Sequence, residues 1–172
     1  MSLIALFVIY LKNKGQLSYV TDEHLHDLGK FMFAFSIFWT YLWFSQYMLI
    51  WYSNQPEETK YFIERIGTAT KAGPYKGIFF FNLIVNFVCP LLILMKKSTK
   101  RSWTLVTFMA VLIIFGHWID FYQMVMPGTL GSHAEMMPFE FGIAALFIGL
   151  IMWGVGRYFS RNPLLAKNHP FL

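Results

Sequence analysis

Four long apolar runs, separated by short polar connections, dominate the chain. They cover about residues 31–52, 77–95, 102–126 and 138–158, each close to the roughly 20 residues a helix requires to cross the hydrocarbon of a bilayer. Tyr52, Tyr75, Trp103, Tyr122 and Tyr158 mark run ends, where a ring with a polar tip suits the headgroup level. The pattern predicts an all-α integral membrane protein: a four-helix transmembrane bundle within residues 12–158, a partial transmembrane segment over 1–11 and a cytoplasmic tail over 159–172. The opening MSLIALFVIYLKNK has its lysines after the apolar part and no small-residue cleavage site, unlike a signal peptide. Its 11 residues are too few to cross a bilayer. It reads either as a half-helix packed on a partner or as the end of a span that begins in a longer protein; the second is the expectation.

The polar connections orient the bundle. KKSTKR at 96–101 carries Lys96, Lys97, Lys100 and Arg101 and no acid, whereas 127–137 has no Lys or Arg. Cytoplasmic loops collect cations, so KKSTKR is placed inside. Alternation then puts ten of the 14 cations, with the C-terminus, on the cytoplasmic side and four, in 53–76, outside.

Composition agrees. With 56% hydrophobic and 13% charged residues and a mean hydropathy of +0.48, the chain is too apolar for a soluble domain of this size. The +5 formal charge is scattered in clusters between apolar runs and forms no basic face, so no nucleic-acid partner is implied. One cysteine, Cys89, can build neither an internal disulfide nor, from this chain alone, a CxxC zinc site or an iron–sulfur cluster.

Ionisable groups inside apolar runs then stand out. The stretch GHWIDFYQMVMPG at 116–128 carries His117 and Asp120, one helical turn apart on one face. Asp120 lies about 9 Å from the outer end of its run and His117 about 4.5 Å deeper. Gln46 lies near the outer end of the first run, Asn82 just below the outer start of the second, and Glu140 opens the fourth. Asn86 is deeper, and Pro90 removes the backbone donor for its carbonyl. His133 and Glu135 lie in the outer loop that joins the last two runs. Such a ladder, with water between, has the chemistry of a proton path, since its groups both accept and donate. The plainer reading is that amides and hydroxyls such as Ser36, Thr40, Asn82 and Asn86 tie helices together, that Glu140 is an acid at a helix N-terminus and that His117 is only the hydrogen-bond partner of Asp120. A buried carboxylate resists that reading most.

Two other chemistries fit less well. A bis-histidine haem needs two facing imidazoles, and His117 is the one histidine inside a run. HLHD at 24–27 brings His24, His26 and Asp27 together without a further ligand set, which reads as a solvated turn and no metal site.

FSQYMLIWYSNQPEETKYFIER at 44–65, together with GHWIDFYQMVMPG, resembles the membrane subunits of bacterial alternative complex III, a quinol:electron-acceptor oxidoreductase, within the polysulfide-reductase membrane-subunit family. The resemblance runs from Lys30 to Tyr158 and is most specific in WYSNQPEET. It is to the second, smaller of the two large membrane subunits, and to its C-terminal part. It implies a bacterial inner-membrane helical subunit that binds no redox cofactor itself. Its partners would be a quinol-oxidising multispan sister subunit, iron–sulfur and multihaem cytochrome c subunits, and lipids, so that quinol, haem c and iron–sulfur clusters belong to the complex. Proton carriage would fall to His117, Asp120, Glu140 and Gln46, the positions that match the polar ladder. A non-catalytic scaffold and a direct quinone-binding subunit are the alternatives.

Overall fold

The computed structural model describes residues 1–68, 70–131 and 138–161, and these are almost entirely helical. The elements are α1 (Ser2–Asn13), α2 (Asp22–Ser53), α3 (Pro56–Ile66), α4 (Lys76–Leu94, with a π turn at Ile84–Val88), the short α5 (Lys97–Lys100), α6 (Trp103–Leu130) and α7 (Pro138–Arg161). Among the described residues there is no strand, only an isolated antiparallel bridge between Gly67 and Ala72.

α4, α6 and α7 are long and apolar enough to cross a membrane, so three of the four predicted spans meet that requirement. The fourth expected span, 31–52, lies within the 32-residue α2. Its Trp39, Tyr41, Trp43, Tyr47, Trp51 and Tyr52 carry polar ring atoms that lower its hydropathy, and its first turns hold Asp22, Glu23, Asp27 and Lys30. α6 continues past the expected end at 126 to Leu130, with Pro127 inside it.

By internal contacts the chain divides into two units, Met1–Ala134 and Glu135–Leu172. The second contributes α7, with Glu140 in its first turn and Arg161 in its last, each sign complementing the helix dipole. The first holds the core, where Ala5 and Ile9 of α1, Leu25 and Met32 of α2, Leu94 of α4, and Val106, Met109, Ala110 and Ile113 of α6 pack together. The predicted half-segment 1–11 is thus a helix that lies on α6.

Local chemistry sets the element ends. Thr21 caps α2 in a reciprocal box with His24, whose Nδ1 lies 2.9 Å from Thr21 Oγ1 and 3.2 Å from Thr21 N. α2 stops at Asn54, left-handed at φ 47, a conformation asparagine tolerates. Pro56 then opens α3, where its missing N–H leaves no bond unmade. At the end of the unit that holds the core, Trp103 Nε1 donates to Asp22 (2.8 Å), Arg101 pairs with Glu23, and Lys12 stacks 3.9 Å over the Trp103 ring. HLHD is occupied by local structure: His24 in the cap, Asp27 with Lys30 at 2.9 Å, and His26 buried.

Candidate functional site

The site begins with two prolines and a glycine. Pro90 has no N–H for the carbonyl four residues earlier, and its ring would clash there. α4 answers with the π turn, in which Cys89 N–H reaches back five residues to Ile84 O. Against that turn α6 presents Gly116, where a Cβ would lie 2.6 Å from Val85 Cγ1 and press into the Asn86 amide. Only a residue without a side chain permits this approach.

The close approach joins the polar groups of three helices. Asp120, 8% exposed, accepts from Trp39 Nε1 of α2 (2.9 Å) and from Asn82 Nδ2 of α4 (2.7 Å). Asn86 Nδ2 donates to Asn82 Oδ1 (2.5 Å), and Asn86 Oδ1 lies 2.9 Å from His117 Nδ1. With the amides so oriented, His117 Nδ1 is the donor to Asn86 Oδ1. The order is therefore His117, Asn86, Asn82, Asp120, Trp39. Trp39 and His117 have ring centroids 6.1 Å apart, and Trp43 packs 4.7 Å from Phe79, walling the network on the α2 side.

Both donors to Asp120 are neutral. The nearby cation is Arg65 of α3, 2% exposed, whose Nε and Nη2 donate at 3.1 and 2.7 Å to the Gln123 carbonyl. That carbonyl needs them, because Pro127, four residues on, lacks the N–H that would satisfy it within α6. Burial lowers the Arg65 pKa from its ordinary value, opposed by Tyr61 and by the charge of Asp120. The guanidinium stays charged regardless. It lies 4.4 Å from the Tyr61 ring centre, and Tyr61 Oη donates to Met124 O (2.6 Å). Burial, the largest influence, raises the Tyr61 phenol, and Arg65 opposes it.

The structure thus brings together His117, Asp120, Asn82 and Asn86 of the predicted set. It corrects the reading of His117 as the direct partner of Asp120: the two amides stand between them. Gln46 is exposed on α2 and outside this network. Glu140 is half-buried in α7, in the other unit. His133 and Glu135 lie outside the described residues. Thr40 turns to its own helix, donating to Ser36 O at 2.8 Å, so it ties no second helix.

Trp39, Arg65 and Gln123 are missing from the predicted set. Trp39 had a readable signal, since it lies one helical turn from Ser36 on the same face. Arg65 had half of one: Pro127 announces a free carbonyl, but its partner 58 residues away is set by packing. A groove of about 250 Å³ between α2 and α3 is lined by Tyr47, Trp51, Phe62, aliphatic neighbours and the polar Asn54 and Thr59, with neither His117 nor Asp120 in its wall.

No family model matches the chain, and no characterised protein matches it either.

Proposed function

We propose that this chain is an integral membrane subunit that crosses the bilayer four times, through α2, α4, α6 and α7, and that Asp120 and His117 carry protons across part of it. The observation behind this reading is Asp120: a buried carboxylate in an apolar helix, held by two neutral donors and, among the described residues, by no cation in direct contact. Packing alone is a poor reason to keep such a group, which costs about 2.5–3.5 kcal/mol at the centre of a bilayer on insertion scales. The wide exposure of Phe31, Phe35, Phe38, Leu42 and Leu49 on α2 supports counting that helix among the spans. In the fuller reading, suggested by the resemblance of 44–65 and 116–128, the chain serves a bacterial respiratory quinol:electron-acceptor oxidoreductase of the alternative complex III type. Quinol oxidation would then belong to a sister subunit, with iron–sulfur and multihaem cytochrome c partners, and KKSTKR and the C-terminus would face the cytoplasm.

A second reading rests on Asn82 and Asn86. Amides do not relay protons without passing through a high-energy imidic form, so the four-residue chain from His117 to Asp120 also suits a scaffold that ties α2, α4 and α6 together. Direct quinone binding is less favoured, since the groove by Tyr47 and Phe62 is not walled by His117 or Asp120.

The test is Asp120→Asn in the chain purified with its native partners, with assembly checked by size-exclusion chromatography. Proton carriage predicts normal assembly and a rate of proton release lower by roughly tenfold or more. Undiminished proton release from an assembled variant would leave the scaffold. Co-purification of haem c and iron–sulfur proteins tests the respiratory assignment separately, and isolation of the chain without redox partners would end it.

A further inference from the structure

The hydrogen-bonded pairs fix the register of α4 on α6. Asn86 lies against Gly116 and Asn82 against Asp120, so in this antiparallel seam Gln123 falls level with Phe79 and Tyr75 one turn beyond. Both Gln123 and Tyr75 are 0% exposed. Among the described residues, neither Nε2 nor Oε1 of Gln123 has a hydrogen-bond partner, and neither does Tyr75 Oη.

A primary amide offers two donors and an acceptor with two lone pairs. Burying such groups unanswered is strongly unfavourable, and where no protein atom responds an ordered water does. Phe79, opposite Gln123, has nothing to offer. The charge around the position narrows the class of ligand: Asp120 lies one turn to one side and disfavours an anion, while the Arg65 guanidinium on the Gln123 carbonyl disfavours a metal cation. A small neutral molecule that both donates and accepts fits between them.

We propose that Gln123 and Tyr75 form a water-binding site at the outer end of the α4–α6 seam, and that this water is the outlet for the proton of Asp120. The site stands on the unanswered amide and phenol; its use as an outlet rests on the proton-carrying reading above. In that use, neutral Asp120 gives its proton to the water and becomes a carboxylate, and the hydronium passes the proton to the next water outward. The amides Asn82 and Asn86 take no part in this last transfer.

The experiment is X-ray hydroxyl-radical footprinting in ¹⁸O-water, read by mass spectrometry, on the chain held in its native complex. A buried ring takes up label only from water bound beside it, so Tyr75 is expected to label despite its burial. In Gln123→Leu, matched in size, that label falls several-fold. No label on Tyr75 in the unaltered protein, which requires no variant to fold, overturns the site, and so does label unchanged in Gln123→Leu. Slowed proton release in Gln123→Leu supports the outlet. If release is slowed by Asp120→Asn but not by Gln123→Leu, the outlet is wrong and proton carriage stands; if both variants release protons normally while Tyr75 labels, the water stands and proton carriage fails.

Discussion

Gly116 shows how one residue can set the chemistry of several others. Its missing Cβ lets the π turn of α4 come close enough for the Asn86 amide to lie 2.9 Å from His117 Nδ1. Gly116→Ala forces the seam apart, and overpacking of this kind costs about 1–3 kcal/mol. A lower unfolding temperature in detergent, together with a shifted ¹⁵N resonance of His117 Nδ1, would carry the signature; an unshifted resonance would contradict the contact. Trp39 works in the opposite sense, by supplying an atom. Trp39→Phe keeps the ring and deletes the donor, leaving Asp120 Oδ2 short of a partner at a cost of about 1–3 kcal/mol. Trp39→Phe should cost less in an Asp120→Leu background than in the unaltered chain, because the acceptor is then already gone. Chemical unfolding of the single and double variants measures it, and additive losses would deny the pairing.

At the scale of elements, α3 is fastened to α6 by a carbonyl that proline sets free. The coupling is testable. In Pro127→Ala the restored N–H competes for the Gln123 carbonyl, so Arg65→Met should destabilise that background less than the unaltered chain. The difference should be about 1.5–3 kcal/mol, the usual worth of a hydrogen bond to a charged group. A cycle that closes at zero would mean Arg65 holds α3 by other contacts. The other end of the unit has its own fastening, and it is sensitive to pH. Burial lowers the pKa of His26, and Lys30, Lys100 and Arg101 lower it further. The unfolded chain therefore binds a proton first as pH falls below about 6.5, the ordinary histidine value, and stability declines through the window from there down to the depressed folded value. His26→Gln should flatten that acid-side decline, as read by thermal unfolding between pH 7.5 and 5. Asp27 adds a separate loss at lower pH, since its bond to Lys30 depresses the carboxyl and protonation removes that partner. How far these features can be read in a bare sequence depends on their range. Capping by Thr21 and His24, the stop at Asn54 and the start at Pro56 follow from neighbours, and the apolar runs locate α4, α6 and α7. The π turn follows only in part, from Pro90. Asn82 meeting Asp120, and Arg65 meeting Gln123, depend on helix register across 38 and 58 residues, and no local pattern encodes that.

For the whole molecule the decisive question is how many times the chain crosses, because the polar seam joins α2, α4 and α6 and its depth in a bilayer depends on all of them. α2 is the contested element. It is long enough at 32 residues, or about 48 Å at 1.5 Å per residue, which exceeds the hydrocarbon core by enough to leave its charged first turns in water. Its outward face of Phe31, Phe35, Phe38 and Leu42 suits lipid. If α2 and α4 both cross, the acidic start of α3 and the KKSTKR turn lie on opposite sides, and if α6 and α7 also cross, the far end of α7 returns to the KKSTKR side. Single cysteines at Thr59, Ser98 and Ser160, in a chain with Cys89 replaced by Ala, read this directly. In right-side-out vesicles a membrane-impermeant maleimide should label Thr59→Cys alone, and inverted vesicles should label Ser98→Cys and Ser160→Cys. Labelling of positions 59 and 98 from the same side would take α4 out of the membrane, and with it the reading of the Asp120 network as a proton path. Labelling of 160 opposite to 98 would leave only one of α6 and α7 spanning, and would keep that reading only if the one that crosses is α6, since Asp120 lies on it.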